Sequence, residues 1–161
     1  MKKIIFIAGL PGVGKSTISQ QIAAKNNGKF VDIDDFKKIV YENSPNLDPT
    51  QLDPPEIRWD YYQMAVNYAM SIVADIVVID ETFHLQTIRD LLENLCVELG
   101  AEVHWLHVVC SSKVVEKRLR SKNRDGHILS TEDAIRLNQI FSEIFDPFPE
   151  GKKNVIVINN D

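Results

Sequence analysis

Apolar and polar positions along the chain alternate between short, wholly apolar runs and longer amphipathic stretches. Residues 3–8 (KIIFIA) form a continuous apolar run, as in a strand covered on both faces. Residues 15–25 place Ile18 and Ile22 four apart, which predicts a helix stopped by Asn26-Asn27-Gly28. Residues 29–33 (KFVDI) predict a second short strand, and 34–43 a helix with Phe36, Ile39 and Val40 inward. Residues 44–55 carry four prolines and two aspartates and predict a loop, the best candidate for a mobile substrate element. Pro54-Pro55 opens a long helix over 56–74.

The second half continues the alternation. Residues 76–79 (IVVI) predict a buried strand, 85–99 a helix ended by Gly100, 102–109 a strand, and 111–122 a helix. After a polar loop over 123–129, Ser130 opens another helix, with Asp133 three residues on as in a capping box. That helix stops at Asp146-Pro147, and 154–158 (NVIVI) predict the last strand. Five apolar strands separated by helices imply an α/β fold with a parallel sheet covered on both faces. A length of 161 residues fits one domain, spanning 1–161, with no repeats or low-complexity segments.

Glycines at one junction carry the chemistry. After the first strand comes Gly9-Leu-Pro11-Gly12-Val13-Gly14-Lys15-Ser16-Thr17, the G-x-x-x-x-G-K-[ST] pattern of a P-loop. Glycines let the backbone turn and aim successive N–H groups at phosphate oxygens, and the following helix adds its positive end. Gly9, Pro11, Gly12, Val13, Gly14, Lys15, Ser16 and Thr17 are therefore the candidate nucleotide-binding residues. Lys15 would reach the β- and γ-phosphates of ATP, and Ser16 would offer a hydroxyl to Mg2+. The expected fold is a single-domain P-loop NTPase.

Such a site needs a second metal anchor at the end of another buried strand. Asp80, after Ile76-Val-Val-Ile79, fits, with Glu81 a competitor and a helix N-cap the structural alternative. A further acid cluster, Asp32, Asp34 and Asp35, follows the second strand. Asp34 is placed to orient an acceptor hydroxyl and take its proton. Equally, Asp34 and Asp35 could only cap the next helix. Strand alternation would set Asp32 and Asp34 on one face.

The segments KKIIFIAGLPGVGKST, VDIDDFKK and VVIDETF together resemble the P-loop kinases, and among them the zeta-toxin-like kinases and phage-type polynucleotide 5′-kinases. The likeness to the latter is closest over the first 40 residues. It implies an ATP-dependent phosphotransferase with Asp34 as general base toward a hydroxyl acceptor. It also implies acceptor contacts at Lys37, where that family has arginine, and at Thr82, with Glu81 inserted beside it. A basic lid over about 117–130 is implied too, with Lys122 or Arg124 stabilising charge on the transferring phosphoryl group. Arg118 would lie in the lid or beside the adenine, and Pro147-Phe148-Pro149 in the adenine wall.

Composition narrows the partners. A net charge of -5 and a pI near 5.4 argue against an extended nucleic-acid footprint, while a local basic patch stays compatible. Cys96 and Cys110 have no metal-ligand spacing and read as thiols in a reducing compartment. His84, His104, His107 and His127 form no metal spacing either. Tyr62, Met64 and Tyr68 read mostly as core, with Trp59 and Tyr62 possible borders of an acceptor pocket. No run approaches the ~20 apolar residues of a membrane span. The expected setting is cytoplasmic, with ATP and a hydroxyl-bearing acceptor as partners and no obligate protein partner evident. The acceptor could be a small molecule, a nucleotide derivative or a nucleic-acid 5′-OH. The competing reading is an ATPase switch acting through a protein partner.

Overall fold

A computed structural model describes residues 1–121 and 128–161. Strand β1 (Lys2–Ala8) is followed by α1 (Lys15–Lys25), β2 (Lys29–Asp32), α2 (Ile33–Glu42), α3 (Pro55–Ser71) and β3 (Ile76–Glu81). Then come α4 (Gln86–Glu98), β4 (Ala101–Val109), α5 (Ser112–Ser121), α6 (Thr131–Ile144) and β5 (Val155–Asn159). The five strands form one parallel sheet in the order β2-β3-β1-β4-β5. No helix among the described residues is long and apolar enough to cross a membrane.

Strand alternation splits the core in two. Ile4, Phe6 and Ala8 of β1 pack with Val77 and Ile79 against α3 and α4, around Tyr61, Tyr62, Leu92 and Trp105. Ile7, Val78 and Val108 point the other way, against Ala23, Val115, Leu119 and Ala134 of α1, α5 and α6. Phe6 lies between Trp105, stacked at 4.6 Å, and Phe83, edge-on at 5.4 Å. Each such ring pair adds about 0.5–1.5 kcal/mol beyond simple burial.

The expected elements are present, with shifted ends. Strand β3 runs on through Asp80 and Glu81, because Asp80 lies opposite both Ile7 of β1 and Asp32 of β2, and Glu81 opposite Ala8 of β1. Strand β2 stops at Asp32, so Asp34 is helical and strand alternation does not relate it to Asp32. The Asp32 carboxylate accepts from the Asp34 N–H and caps α2, a role expected of Asp34 or Asp35. The register matters for function: it aligns the carboxyl ends of β1, β2 and β3, where ligands of open parallel sheets bind.

Candidate active site

The loop between β1 and α1 closes around the amino end of α1. Gly12 and Gly14 adopt φ of 87° and 94°, a left-handed backbone that only glycine takes readily. Gly12 also faces α5, where an added Cβ would lie 2.8 Å from Val115 and Leu119. Lys15 donates from Nζ to the Gly9 and Leu10 carbonyls at 2.7 and 2.8 Å, curling over the loop where phosphates would bind. Burial pushes the Lys15 ammonium pKa down, opposed by Asp80 and Glu81 nearby.

Asp80 and Glu81 leave β3 on opposite faces and do different things. Asp80 is buried, receives a long 3.3 Å hydrogen bond from Ser19 of α1, and lines the phosphate cleft with Lys15 and Ser16. Burial lifts its carboxyl to about 7 despite the opposing charge of Lys15. A buried carboxylate poor in donors, beside an exposed serine hydroxyl, fits Mg2+, which takes one or two protein oxygens and completes its shell with phosphate and water. Glu81 points instead to α2, where it pairs with Lys37 and accepts from the Thr82 N–H at 2.8 Å. Burial works against the Glu81 charge, but Lys37 overcomes it and holds the carboxyl well below its usual range. Both acids line the phosphate cleft, but Glu81 is already paired with Lys37, whereas the Asp80 carboxylate takes only the long bond from Ser19.

Two clefts meet at this point. The phosphate cleft is lined by Gly12, Gly14, Lys15, Ser16, Asp80 and Arg118, among others. Arg118 is held there by the Asn160 carbonyl at 2.7 Å. The second cleft lies over α2 and α3, lined by Tyr41, Asp53, Arg58, Tyr61 and Phe141. Asp34, Lys37, Glu81 and Thr82 line both clefts and form their shared wall. Asp34, at the start of α2, lies 3.7 Å from the Lys37 ammonium.

The loop expected over 44–55 is anchored at Thr50 and Asp53. Tyr41 and Tyr61 each donate to Asp53 Oδ2 at 2.7 Å, and Arg136 of α6 donates to the Thr50 carbonyl. Residues Pro49 to Asp53 thereby wall the second cleft.

Several sequence expectations change here. Tyr61 and Arg58, rather than Trp59 and Tyr62, border the second cleft, because the helix turns Tyr62 into the core beside Phe83. Phe148 packs on Arg89, Trp105 and His107 and lines neither cleft. Lys122 and Arg124 lie outside the described residues, as do residues 122–127 of the expected lid. Thr17 is exposed on α1 and is not among the residues lining either cleft. Arg89, which the sequence did not single out, is fully buried and fixes the turn after β3: it donates to the Phe83, His84 and Asp146 carbonyls. A lone arginine in an amphipathic helix gives no sign of this.

A family model described as an AAA domain matches residues 4–147. The chain belongs to that family. Among solved structures, a gluconokinase from Sinorhizobium meliloti superposes with a TM-score of 0.71 at 19% identity, over 98% of this chain and 82% of that one. A sugar kinase from a Janibacter species gives 0.69 at 17% identity, over 99% and 86%. The Mycobacterium tuberculosis APS kinase, in complex with AMPPNP and APS, gives 0.63 at 18% identity, over 99% and 89%. At these identities the likeness establishes the P-loop kinase fold. No curated protein matches the chain by sequence.

Proposed function

We propose that this AAA-domain protein is an ATP-dependent phosphotransferase that moves the γ-phosphate of ATP to a hydroxyl on a small acceptor. The observation that carries this reading is the shared wall: an acid, Asp34, stands between a P-loop cleft and a second, polar cleft. An ATPase switch has no use for the second cleft. The kinase names of the solved relatives support the same reading, as does the P-loop kinase likeness of the sequence motifs.

In this scheme the loop N–H groups and Lys15 hold the β- and γ-phosphates. Ser16 and Asp80 would hold Mg2+, whose positive charge would offset the charge spread over the phosphates. Arg118 lines the nucleotide side, and Lys122 or Arg124 would approach the phosphoryl group from the lid. Asp34 accepts the acceptor O–H proton as the acceptor oxygen bonds to the γ-phosphorus. The bond to the β–γ bridging oxygen breaks, and ADP leaves. Lys37, 3.7 Å from the Asp34 carboxylate, keeps it aimed, and Thr82 lines the acceptor side. The size and polar lining of the second cleft suit a small molecule as acceptor.

ATP turnover with Mg2+, with and without hydroxyl acceptors, tests the reading. Stimulation by an acceptor with stoichiometric phosphorylated product is expected. Slow turnover indifferent to every acceptor, but raised by a protein partner, would move the assignment to a switch.

A further inference from the structure

Arg58 is the charged group of the second cleft that phosphate transfer leaves unused. It lies on α3, is 5% exposed, and lines that cleft. Its guanidinium covers the Phe141 ring at 5.4 Å. Among the described residues it forms no ion pair. The Tyr62 phenol stands against it, and the Glu81 carboxylate is near enough to favour its charge without pairing with it.

That is an expensive arrangement. A guanidinium keeps its proton, and a buried one with no carboxylate in ion-pair contact is costly to desolvate. The same fold shows how a structural arginine is treated: Arg89, equally buried, donates to three carbonyls and to Gln86. The other charges of the cleft also have partners. Lys37 is held by Glu81 and Asp34, and Asp53 by two tyrosine hydroxyls. Among the described residues of the cleft, Arg58 alone presents a planar fork of donors free of ion pairs, with an aromatic ring behind it. Such a fork matches an oxyanion.

We propose that Arg58 is an acceptor-recognition residue, and that the acceptor is a small polyhydroxy compound carrying an oxyanion, as a carboxylate or as a phosphate or sulfate ester. The oxyanion sits on Arg58 and the reacting hydroxyl at Asp34. Asp53 Oδ1, which makes no hydrogen bond among the described residues, accepts from a further hydroxyl. The turnover arm of this inference rests on the phosphotransferase reading; the binding arm does not.

The test compares matched probes on the whole protein: glycerate and gluconate, glycerol 3-phosphate and glucitol 6-phosphate, and neutral glycerol and glucitol. Binding is measured by calorimetry without ATP, and ADP formation with ATP and Mg2+. At least one anionic probe should bind tenfold or more tighter than its neutral counterpart, and the arm that wins identifies carboxylate or phosphate. Arg58→Gln should weaken that probe about 30-fold and leave ATP affinity unchanged, with Arg58→Lys between the two. The comparison within the wild type stands even if a variant fails to fold. Equal or better binding of the neutral alditols, anion binding indifferent to Arg58→Gln, or no anion binding would each overturn the inference. Anion binding without phosphate transfer would keep Arg58's role and sink the kinase reading. Phosphorylation of a neutral acceptor, with no preference for charge, would do the reverse.

Discussion

The Lys37 ammonium is paired with the Glu81 carboxylate in the wall between the two clefts, and the same ammonium reaches Asp34 at 3.7 Å. One lysine from α2 thereby fixes the end of β3 against the start of α2, the two elements that must meet for phosphate and acceptor to meet. Removing one partner leaves the other charge buried and alone. Lys37→Met should lower folding stability by about 3–5 kcal/mol, seen as a shift in the urea midpoint. The double variant Lys37→Met/Glu81→Gln should recover most of that stability but not the turnover, since Asp34 still lacks its neighbour. Full recovery of turnover would show that Lys37 serves only the fold.

Gly12 tests the cradle. Its φ of 87° and its contact with α5 both forbid a side chain. Gly12→Ala should cost about 1–2 kcal/mol from backbone strain alone and push Val115 and Leu119 aside. ATP affinity should fall tenfold or more, read by calorimetry, with acceptor binding nearly unchanged. Unaltered ATP affinity would mean that the loop does not set the phosphate geometry.

One buried and one half-buried histidine give the fold a pH dependence. Burial, aided by Arg58, pushes His84 down to about 4, and burial with Arg89 does the same to His107. Between pH 4 and the ordinary value near 6.5 the unfolded chain holds more protons than the folded one. Their contribution is therefore complete above about pH 6.5 and is lost as pH falls toward 4. Asp80, lifted by burial, works in the opposite direction over much of this range, so the readout is a difference between proteins. His107→Phe keeps the stack on Phe145, which lies parallel at 5.0 Å. Between pH 7.5 and 4.5 it should lose about 1–2 kcal/mol less stability than the wild type. Parallel pH profiles for the two proteins would contradict the burial argument.

Much of this was legible in the sequence because it is local. Apolar runs mark the strands, and glycines with Lys15 and Ser16 mark the cradle within one strand-turn-helix unit. Asp34 was left balanced between cap and base; the backbone gives the cap to Asp32, which leaves the Asp34 side chain to the cleft. Asp80 and Glu81 could not be separated while the strand seemed to end at Ile79, since only pairing with β1 and β2 shows that the pleat continues. The second cleft was hidden for a different reason. Tyr41, Asp53, Arg58 and Tyr61 come from a helix, a proline-rich loop and another helix, and only the packing of α2 on α3 assembles them. Read along the chain, Arg58 is a polar residue on an amphipathic helix; its burial without a counter-ion belongs to the tertiary structure.

Asp34→Asn should separate nucleotide binding from chemistry. It keeps the shape and removes the proton acceptor. Turnover should fall by about 10²–10⁴, with the KM for ATP within a small factor of the wild type. A rise in the KM for ATP with little change in kcat would give Asp34 a binding role instead.

The central claim, that the γ-phosphate goes to a hydroxyl held beside Asp34, is tested most directly by following that phosphate. Wild type and Asp34→Ala are incubated with γ-labelled ATP, Mg2+ and the hydroxyl acceptors, and the label is separated into inorganic phosphate and phosphorylated acceptor. The account predicts label in an acceptor for the wild type, and its loss in Asp34→Ala while ATP still binds. Label recovered only as inorganic phosphate, at the same rate in both proteins, would contradict it.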